Sequence, residues 1–398
     1  MLKSRVDLLN SAKKLFEINK LKINIFFTCL LCNLVFLFYY YISAQGFDGL
    51  SYSLCEWDCG WYYSIENSGY DIHPLLSGPG VGQANWAFFP LFPFVVKYVH
   101  AITGFSYQLS GVIINNILLF LISFCSAVYV IDKKKNYDWF ITVMVVYSFP
   151  TSLYFHAQYT ESLYGFLVLL IIILINRNYY WTSAVISSLF TATRPSAAPI
   201  IAVIGTYGTF FHQLNNKIYV KFSMKFVRKF FTSCILWGLI GGLGLIVYMA
   251  YLYRHTGDAL AFTHIESAWG RVAGNPIKNI IDGFLSDDIK VNNFLSSDKS
   301  SLKYWSISCL VGLFISICAF FLGNFLEGTI IFLTVILASF SGLWSSSRYI
   351  FANPITLIII SIILQKISKK ISFLSILFFC LMQALFVILW YKKSAFLI

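Results

Sequence analysis

The chain has 398 residues, of which 58% are hydrophobic, 19% aromatic and only 12% charged. A soluble domain carries about 25% charged residues, so a water-soluble globule is excluded and a polytopic membrane protein is indicated. The formal net charge of +12 would suit a nucleic-acid binder, but the charges follow the predicted membrane topology, and no nucleic-acid partner is expected.

Apolar stretches of ~20 residues cross a bilayer as helices. In chain order they fall near 22–43, 109–131, 137–156, 158–176, 231–253, 304–322, 328–344, 350–364 and 371–391. Segment 181–211 is apolar but interrupted at Arg194-Pro195. Proline disfavours continuing the first helix, so the segment is read as two short helices turning at Thr193-Arg194-Pro195. The result is an all-α membrane protein of eleven spans in a single integral membrane domain, with the N-terminus inside. The first span follows a basic, polar segment and is read as retained rather than cleaved. With this topology the inside segments hold 18 Lys/Arg against 5 Asp/Glu, and the outside segments 11 against 12, the positive-inside bias.

Two outer loops are long, 44–108 and 254–303. The first contains SLCEWDCGWYYSIENSGY over residues 53–70. Ser53 and Glu56 have the spacing of a capping box, and Gly69 stands where a helix end favours positive φ, so a helix is predicted over 53–67. Trp57, Trp61 and Ile65 recur every fourth residue and share one face; Asp58, Tyr62 and Glu66 form the adjacent stripe. The apolar face is expected to lie down in the interface, with Asp58 near the water–lipid boundary. Cys55 and Cys59, four apart on that helix, are read as poorly placed for a disulfide, and the remaining cysteines as small hydrophobes in apolar spans. Segment 85–103, apolar but punctuated by Pro90 and Pro93, is expected in the interface with Trp86 and Tyr98 at headgroup level. The basic, aromatic segment 212–230 reads as an amphipathic inner-surface anchor.

The unusual residues share the outer side: Asp58, Glu161, Arg194, Arg271 and Arg348 face outward at similar depth. Arginine pairs bidentately with phosphate oxygens and keeps its charge when partly buried. A carboxylate within hydrogen-bond reach takes a proton from an attacking hydroxyl. Together these suit sugar transfer from a lipid phosphate, in which cations stabilise the departing phosphate. A bland reading stands beside each. Glu161 starts a helix, where an acid is favoured by the macrodipole. Arg194 needs a partner inside a membrane, either a phosphate or an acid such as Glu161. Arg348 could snorkel to the interface. Glu66 is a rival to Asp58. His264 and Arg271 lie in AFTHIESAWGR, expected to pack Phe262, Ile265 and Trp269 downward. Trp57 and Trp61 are interfacial anchors or sugar-stacking faces, and His156 a hydrogen-bonded packing residue.

WDCGWYYSIENSGY resembles the W-D-x-x-W-[YF]-x-x-I-x-x-x-G-Y stretch of the PIG-V family of mannosyltransferases. NWAFFPLFPFVVKYV, FPTSLYFHAQYTESLYGF, GDALAFTHIESAWGR and SSSRY follow in family order, covering roughly residues 50–350. The form looks more like bacterial members than the eukaryotic GPI mannosyltransferases. The resemblance implies a GT-C fold with an extracytoplasmic active site, in a bacterial inner membrane or, for a eukaryotic member, in the endoplasmic reticulum membrane. It also implies a polyprenyl-phosphate donor, mannose in the eukaryotic members, and an acid in the first outer loop as catalytic base, which is Asp58 here. Substrate-binding residues are then expected at Glu161, Arg194, Arg271, Arg348, His264, Trp61 and Tyr62. The partners implied are a polyprenyl-phosphate-mannose donor, a lipid-linked or membrane-associated acceptor, and membrane lipids. No D-x-D or E-x-D pair occurs in that loop, so neither a metal nor a cofactor is expected beyond the donor as co-substrate. Departures at Asn67-Ser68 and at Thr263-His264-Ile265-Glu266 bear on acceptor choice. The competing reading is a transporter or lipid-linked glycan flippase, for which internal repeats and paired broken helices would be the signature; only one interruption, at Arg194-Pro195, is visible.

Overall fold

The computed structural model describes residues 2–78, 80–133, 137–208, 224–286 and 298–397, and all regular structure among them is helical. The chain opens with α1 (Leu2–Ala44), followed by the short α2 (Leu50–Ser53), α3 (Asp58–Ser68) and α4 (Leu91–Thr103). Then come α5 (Tyr107–Lys133), α6 (Trp139–Ser148), α7 (Leu153–His156), α8 (Glu161–Asn176), α9 (Tyr180–Thr191) and α10 (Ala197–Thr206). After α11 (Met224–Ser233) and α12 (Leu243–Thr256), the second long loop holds α13 (Ala261–His264) and α14 (Pro276–Leu285). The remainder is α15 (Asp298–Phe321), α16 (Phe325–Phe340), α17 (Ser346–Phe351), α18 (Pro354–Ile367) and α19 (Lys369–Tyr391).

Helix occurs at every predicted span, but the spans are more broken than eleven clean crossings. Among the described residues, four helices are long and apolar enough to cross a membrane: Asn19–Ala44, Tyr107–Lys133, Ser301–Phe321 and Lys369–Tyr391. Two bent pairs, Pro150–His156 with Glu161–Asn176 (97°) and Phe231–Ile240 with Leu243–Thr256 (51°), raise this to six. Five further apolar helices are shorter. The breaks fall at Pro150, Pro195, Gly241-Gly242 and Pro354, where a lost N–H or a residue without a side chain weakens helix continuation. Segment 181–211 does turn between α9 and α10 at residues 193–196. The predicted inner anchor falls largely outside the described residues; its described end forms α11.

The core is built around α8 and α18, whose residues are buried on nearly all sides, as expected of helices enclosed by other helices. Gly165 permits their approach: a Cβ there would meet Pro354 Cδ at 2.9 Å, the small-residue contact by which membrane helices pack closely. Helices α5, α6 and α19 pack around this centre, and α1 lies against α5, α6 and α19. A second, smaller cluster of Trp86, Phe89, Tyr248, Leu252, Phe262 and Ile265 joins the two long loops. Trp86 accordingly departs from the predicted headgroup anchor: it is 8% exposed and its indole N–H donates to the Asp71 carbonyl at 2.6 Å. Tyr98 is exposed.

Candidate active site

The acid-bearing helix begins later than its sequence predicts. Its first residue is Asp58, and no side chain caps it. Ser53 is buried at the end of α2, and its hydroxyl has no hydrogen-bond partner among the described residues. Glu56 is paired with Lys393 at 3.0 Å. The capping box is therefore not formed: α3 begins only after Trp57, and the Glu56 carboxylate is taken by Lys393. Trp57, between α2 and α3, sits at φ 46°, ψ −102°, a region costing ~1–3 kcal/mol for a residue with a side chain. This kink also separates the residues expected to share a face: Trp57 meets Trp390 edge-on at 4.7 Å, while Trp61 stacks on Phe88 at 5.8 Å. It further overturns the reading of the cysteines. Cys55 lies outside the helix, its Cα comes within 5.0 Å of that of Cys59, and the two form a disulfide, a separation that an S–S bond spans readily. The other end of α3 is as predicted, with Gly69 at φ 81°.

The turn between α7 and α8 receives this segment. Gln158 N–H donates to the Leu54 carbonyl at 3.1 Å, and the Gln158 side-chain amide donates to the Ser51 carbonyl at 2.9 Å. From α5, buried Asn115 donates to the Ala157 and Tyr159 carbonyls. The Tyr159 hydroxyl donates to the Glu56 carbonyl at 3.2 Å and accepts from Asp58 N–H at 3.4 Å. Glu161, the first residue of α8, is thereby brought under Asp58.

Two arginines complete the cluster. Arg348, in α17, donates through Nη1 to Asp58 Oδ2 at 2.7 Å and pairs through Nε with Glu161 Oε1 at 3.2 Å. Arg194, from the α9–α10 turn, pairs with the same Glu161 oxygen at 3.1 Å and also donates to Thr160 Oγ1. Aromatic rings enclose the guanidinium groups. Arg348 lies 4.7 Å from the Tyr159 centroid and 5.0 Å from that of Tyr349, and Arg194 lies 4.5 Å from Tyr164. Such cation–π contacts strengthen when water is excluded. The four charges differ in access. Glu161 is 2% exposed, Arg348 7% and Arg194 12%, but the Asp58 side chain is 27% exposed. Asp58 is the open member of a buried network whose formal charge sums to zero.

Of the predicted residues, Asp58, Glu161, Arg194 and Arg348 meet directly. Tyr62 joins them: it is buried beneath Asp58, and burial together with that carboxylate pushes its hydroxyl well above the usual tyrosine range. Arg271 stands at the rim, donating to the Trp344 carbonyl at 3.3 Å, with no carboxylate at ion-pair distance among the described residues. Burial raises the Tyr349 hydroxyl, but Arg348, Arg271 and Arg194 more than offset this and hold it below its usual value, so three cations bear on one point. Burial raises the neighbouring Glu266 carboxyl, against the pull of Arg271. Trp61 forms a rim of rings with Phe88 and Trp269. His264 lies apart from the acids, in an exposed pair with Asp258 at 2.6 Å. The carboxylate of Glu66 makes no ion pair among the described residues; its backbone carbonyl accepts from Lys97. His156 is a packing residue as predicted, hydrogen-bonded to Asn116 at 2.8 Å. Sequence reasoning gave no role to Tyr159, Thr160, Tyr349 or Trp390. The one visible signal was a tyrosine within two residues of Glu161 and of Arg348, Tyr159 and Tyr349.

No family model matches the chain, and no curated protein matches it. Among solved structures, the chain is similar to a crystal structure of the Archaeoglobus fulgidus oligosaccharyltransferase in complex with zinc and sulfate. The identity is 12% and the TM-score 0.44, over 93% of this chain and 52% of that one. The chain therefore spans about half the length of that structure's chain.

Proposed function

We propose that the protein is a GT-C-type membrane glycosyltransferase of PIG-V character. It moves a sugar, mannose by the sequence resemblance, from a polyprenyl phosphate to a lipid-linked or membrane-associated hydroxyl. The observation that carries the reading is the Asp58 carboxylate, oriented by Arg348 and open to solvent above a buried, charge-balanced base. In the reaction the acceptor hydroxyl gives its proton to Asp58, and its oxygen bonds to the anomeric carbon as the bond from that carbon to the phosphate oxygen breaks. The anomeric centre inverts, and polyprenyl phosphate leaves with the electron pair. Arg348 aims Asp58, and Glu161 holds both arginines in place. Since Arg194 and Arg348 already serve acids, the rim cation Arg271 is assigned to the donor phosphate, where charge grows in the transition state. Trp61 and Trp269 offer ring faces to the sugar. Tyr62 supports Asp58 from below. His264 is assigned to the acceptor side of the second loop.

The site is placed on the extracytoplasmic face and the N-terminus in the cytoplasm. This is supported by the positive-inside count and by the Cys55–Cys59 disulfide, which persists in oxidising compartments. The test is transfer of labelled mannose from polyprenyl-phosphate-mannose in membranes carrying wild type or Asp58→Asn, with lipids and proteins both scanned for label. Wild type is expected to transfer and Asp58→Asn to lose ~10²–10⁴-fold, the span for a general base. Transfer surviving in the variant would remove Asp58 as base. An inert wild type, with other lipid-linked sugars inert too, would favour a transporter.

A further inference from the structure

We infer that Trp390, at the end of α19, is a positioning residue for Asp58; the inference rests on the glycosyltransferase reading above. The positive-φ backbone of Trp57, next to the acid, persists only where surrounding structure over-determines it. Much of that constraint comes from one short stretch distant in sequence. The Trp390 indole N–H donates to the Ser53 carbonyl at 2.7 Å, its ring meets Trp57 edge-on at 4.7 Å, and Lys393 pairs with Glu56 at 3.0 Å. Residues 53, 56 and 57, immediately before Asp58, are therefore all held by residues 390–393. Trp390 is fully buried, and its ring lies 5.6 Å from both Tyr154 and Tyr159. Tyr159 is the ring beneath Arg348, and its hydroxyl bridges the Glu56 carbonyl and Asp58 N–H. Trp390 thus touches both the segment that carries the acid and the aromatic support of the arginine that orients it. The Tyr154 hydroxyl closes the arrangement by donating to the Leu397 carbonyl at 2.6 Å.

The consequence is a link between α19 and the turnover step. A shift of ~1 Å in a reacting group costs about 10²-fold in rate, so loosening this contact lowers kcat and leaves donor binding, assigned to Arg271, nearly untouched. The experiment compares Trp390→Ala, Trp390→Phe, Lys393→Glu and the charge exchange Glu56→Lys/Lys393→Glu with wild type. The readouts are kcat and donor KM for transfer, and hydrogen exchange over residues 50–60 of the purified protein in nanodiscs. Trp390→Phe keeps a ring and guards against a folding failure of the alanine variant. Expected is a kcat loss of about 10²-fold for Trp390→Ala and a smaller loss for Trp390→Phe, in line with that positional sensitivity. Donor KM should stay within about twofold, exchange over 50–60 should be faster, and the exchanged pair should recover what Lys393→Glu alone loses. Unchanged kcat in the tryptophan variants, or a loss carried by KM with unchanged exchange, would overturn the inference. Were wild type itself inactive, the glycosyltransferase reading would fall and the positioning of a catalytic base with it; the exchange data would still show whether Trp390 holds the segment.

Discussion

Two ion clusters occupy opposite ends of α8, a helix of 16 residues and so ~24 Å long at 1.5 Å per residue. At its far end, Glu327 at the start of α16 is 2% exposed and is held by Lys133 and by the Tyr129 hydroxyl. Lys133 also donates to Asn324 at 2.8 Å. Beside them, Arg177 and Asp132 form an exposed pair at 3.6 Å, over a cavity of about 290 Å³. At the near end, two acids share two arginines through ion pairs, neither Glu161 oxygen has a hydrogen-bond partner among the described residues, and Asp58 remains open. The first cluster satisfies itself and works as a staple between α5 and α16. The second keeps an unfinished carboxylate facing outward, held by charges that are themselves buried. A buried ion pair alone is weak evidence of function; the open member makes the difference.

The comparison breaks most sharply at Arg348. Replacing it with methionine leaves Asp58 and Glu161 short of a shared cation, which should cost ~3–5 kcal/mol, as for other broken buried pairs. Thermal unfolding in detergent reads the cost, and transfer should vanish with it. Next in size is a contrast of double replacements. Lys133→Met alone should destabilise by about 3 kcal/mol, while Lys133→Met/Glu327→Leu should recover most of that, because apolar pairs of similar volume replace buried ion pairs well. Transfer in this double variant should stay within about twofold of wild type, as its cluster has no part in the chemistry. Arg194→Met/Glu161→Leu should also fold, yet lose at least about 10²-fold in transfer. Equal activity in the two double variants would erase the distinction between staple and site.

Smaller effects sharpen it further. Tyr159→Phe removes the hydroxyl between the Glu56 carbonyl and Asp58 N–H, at a cost of ~1–3 kcal/mol for unsatisfied partners. A measurable fall in kcat should accompany it, while Tyr129→Phe at the other cluster should lower stability alone. The exposed Asp258–His264 pair should matter least, ~0.2–1 kcal/mol. The hydrogen bond from His264 holds the Asp258 carboxyl below its usual value. Its contribution is therefore present above the unfolded-state carboxylate value and is lost as pH falls through the native one. Melting curves of wild type and His264→Ala across the acid range test this: identical slopes would remove the pair from the account.

Much of the site's membership was legible in the sequence, for a physical reason. Glu161, Arg194 and Arg348 are charges at the ends of apolar helices, where burial demands partners, so each stood out against its surroundings, while Asp58 was singled out by the family resemblance of its loop. The pairing was not legible. Nothing local tells Arg348 to take both acids or Arg194 to share Glu161, because these contacts join residues as much as 290 positions apart. The start of α3 was misread for the same reason: Ser53–Glu56 is a valid local capping signal, but the distant Lys393 takes the Glu56 carboxylate and the chain kinks at Trp57 before the helix begins. The cysteine reading fell with it, since its geometry assumed a continuous helix.

By itself the sequence determined that this is an all-helical membrane protein. It also determined where helices occur and which polar residues could not be left alone in an apolar interior, because hydrophobic runs and isolated charges act over one or two turns. The tertiary structure decided where helices break into shorter pieces, how the four charges share one another, and which carboxylate stays open. Those outcomes depend on backbone and side chains competing for partners across the whole bundle, and that competition is settled only when the helices pack.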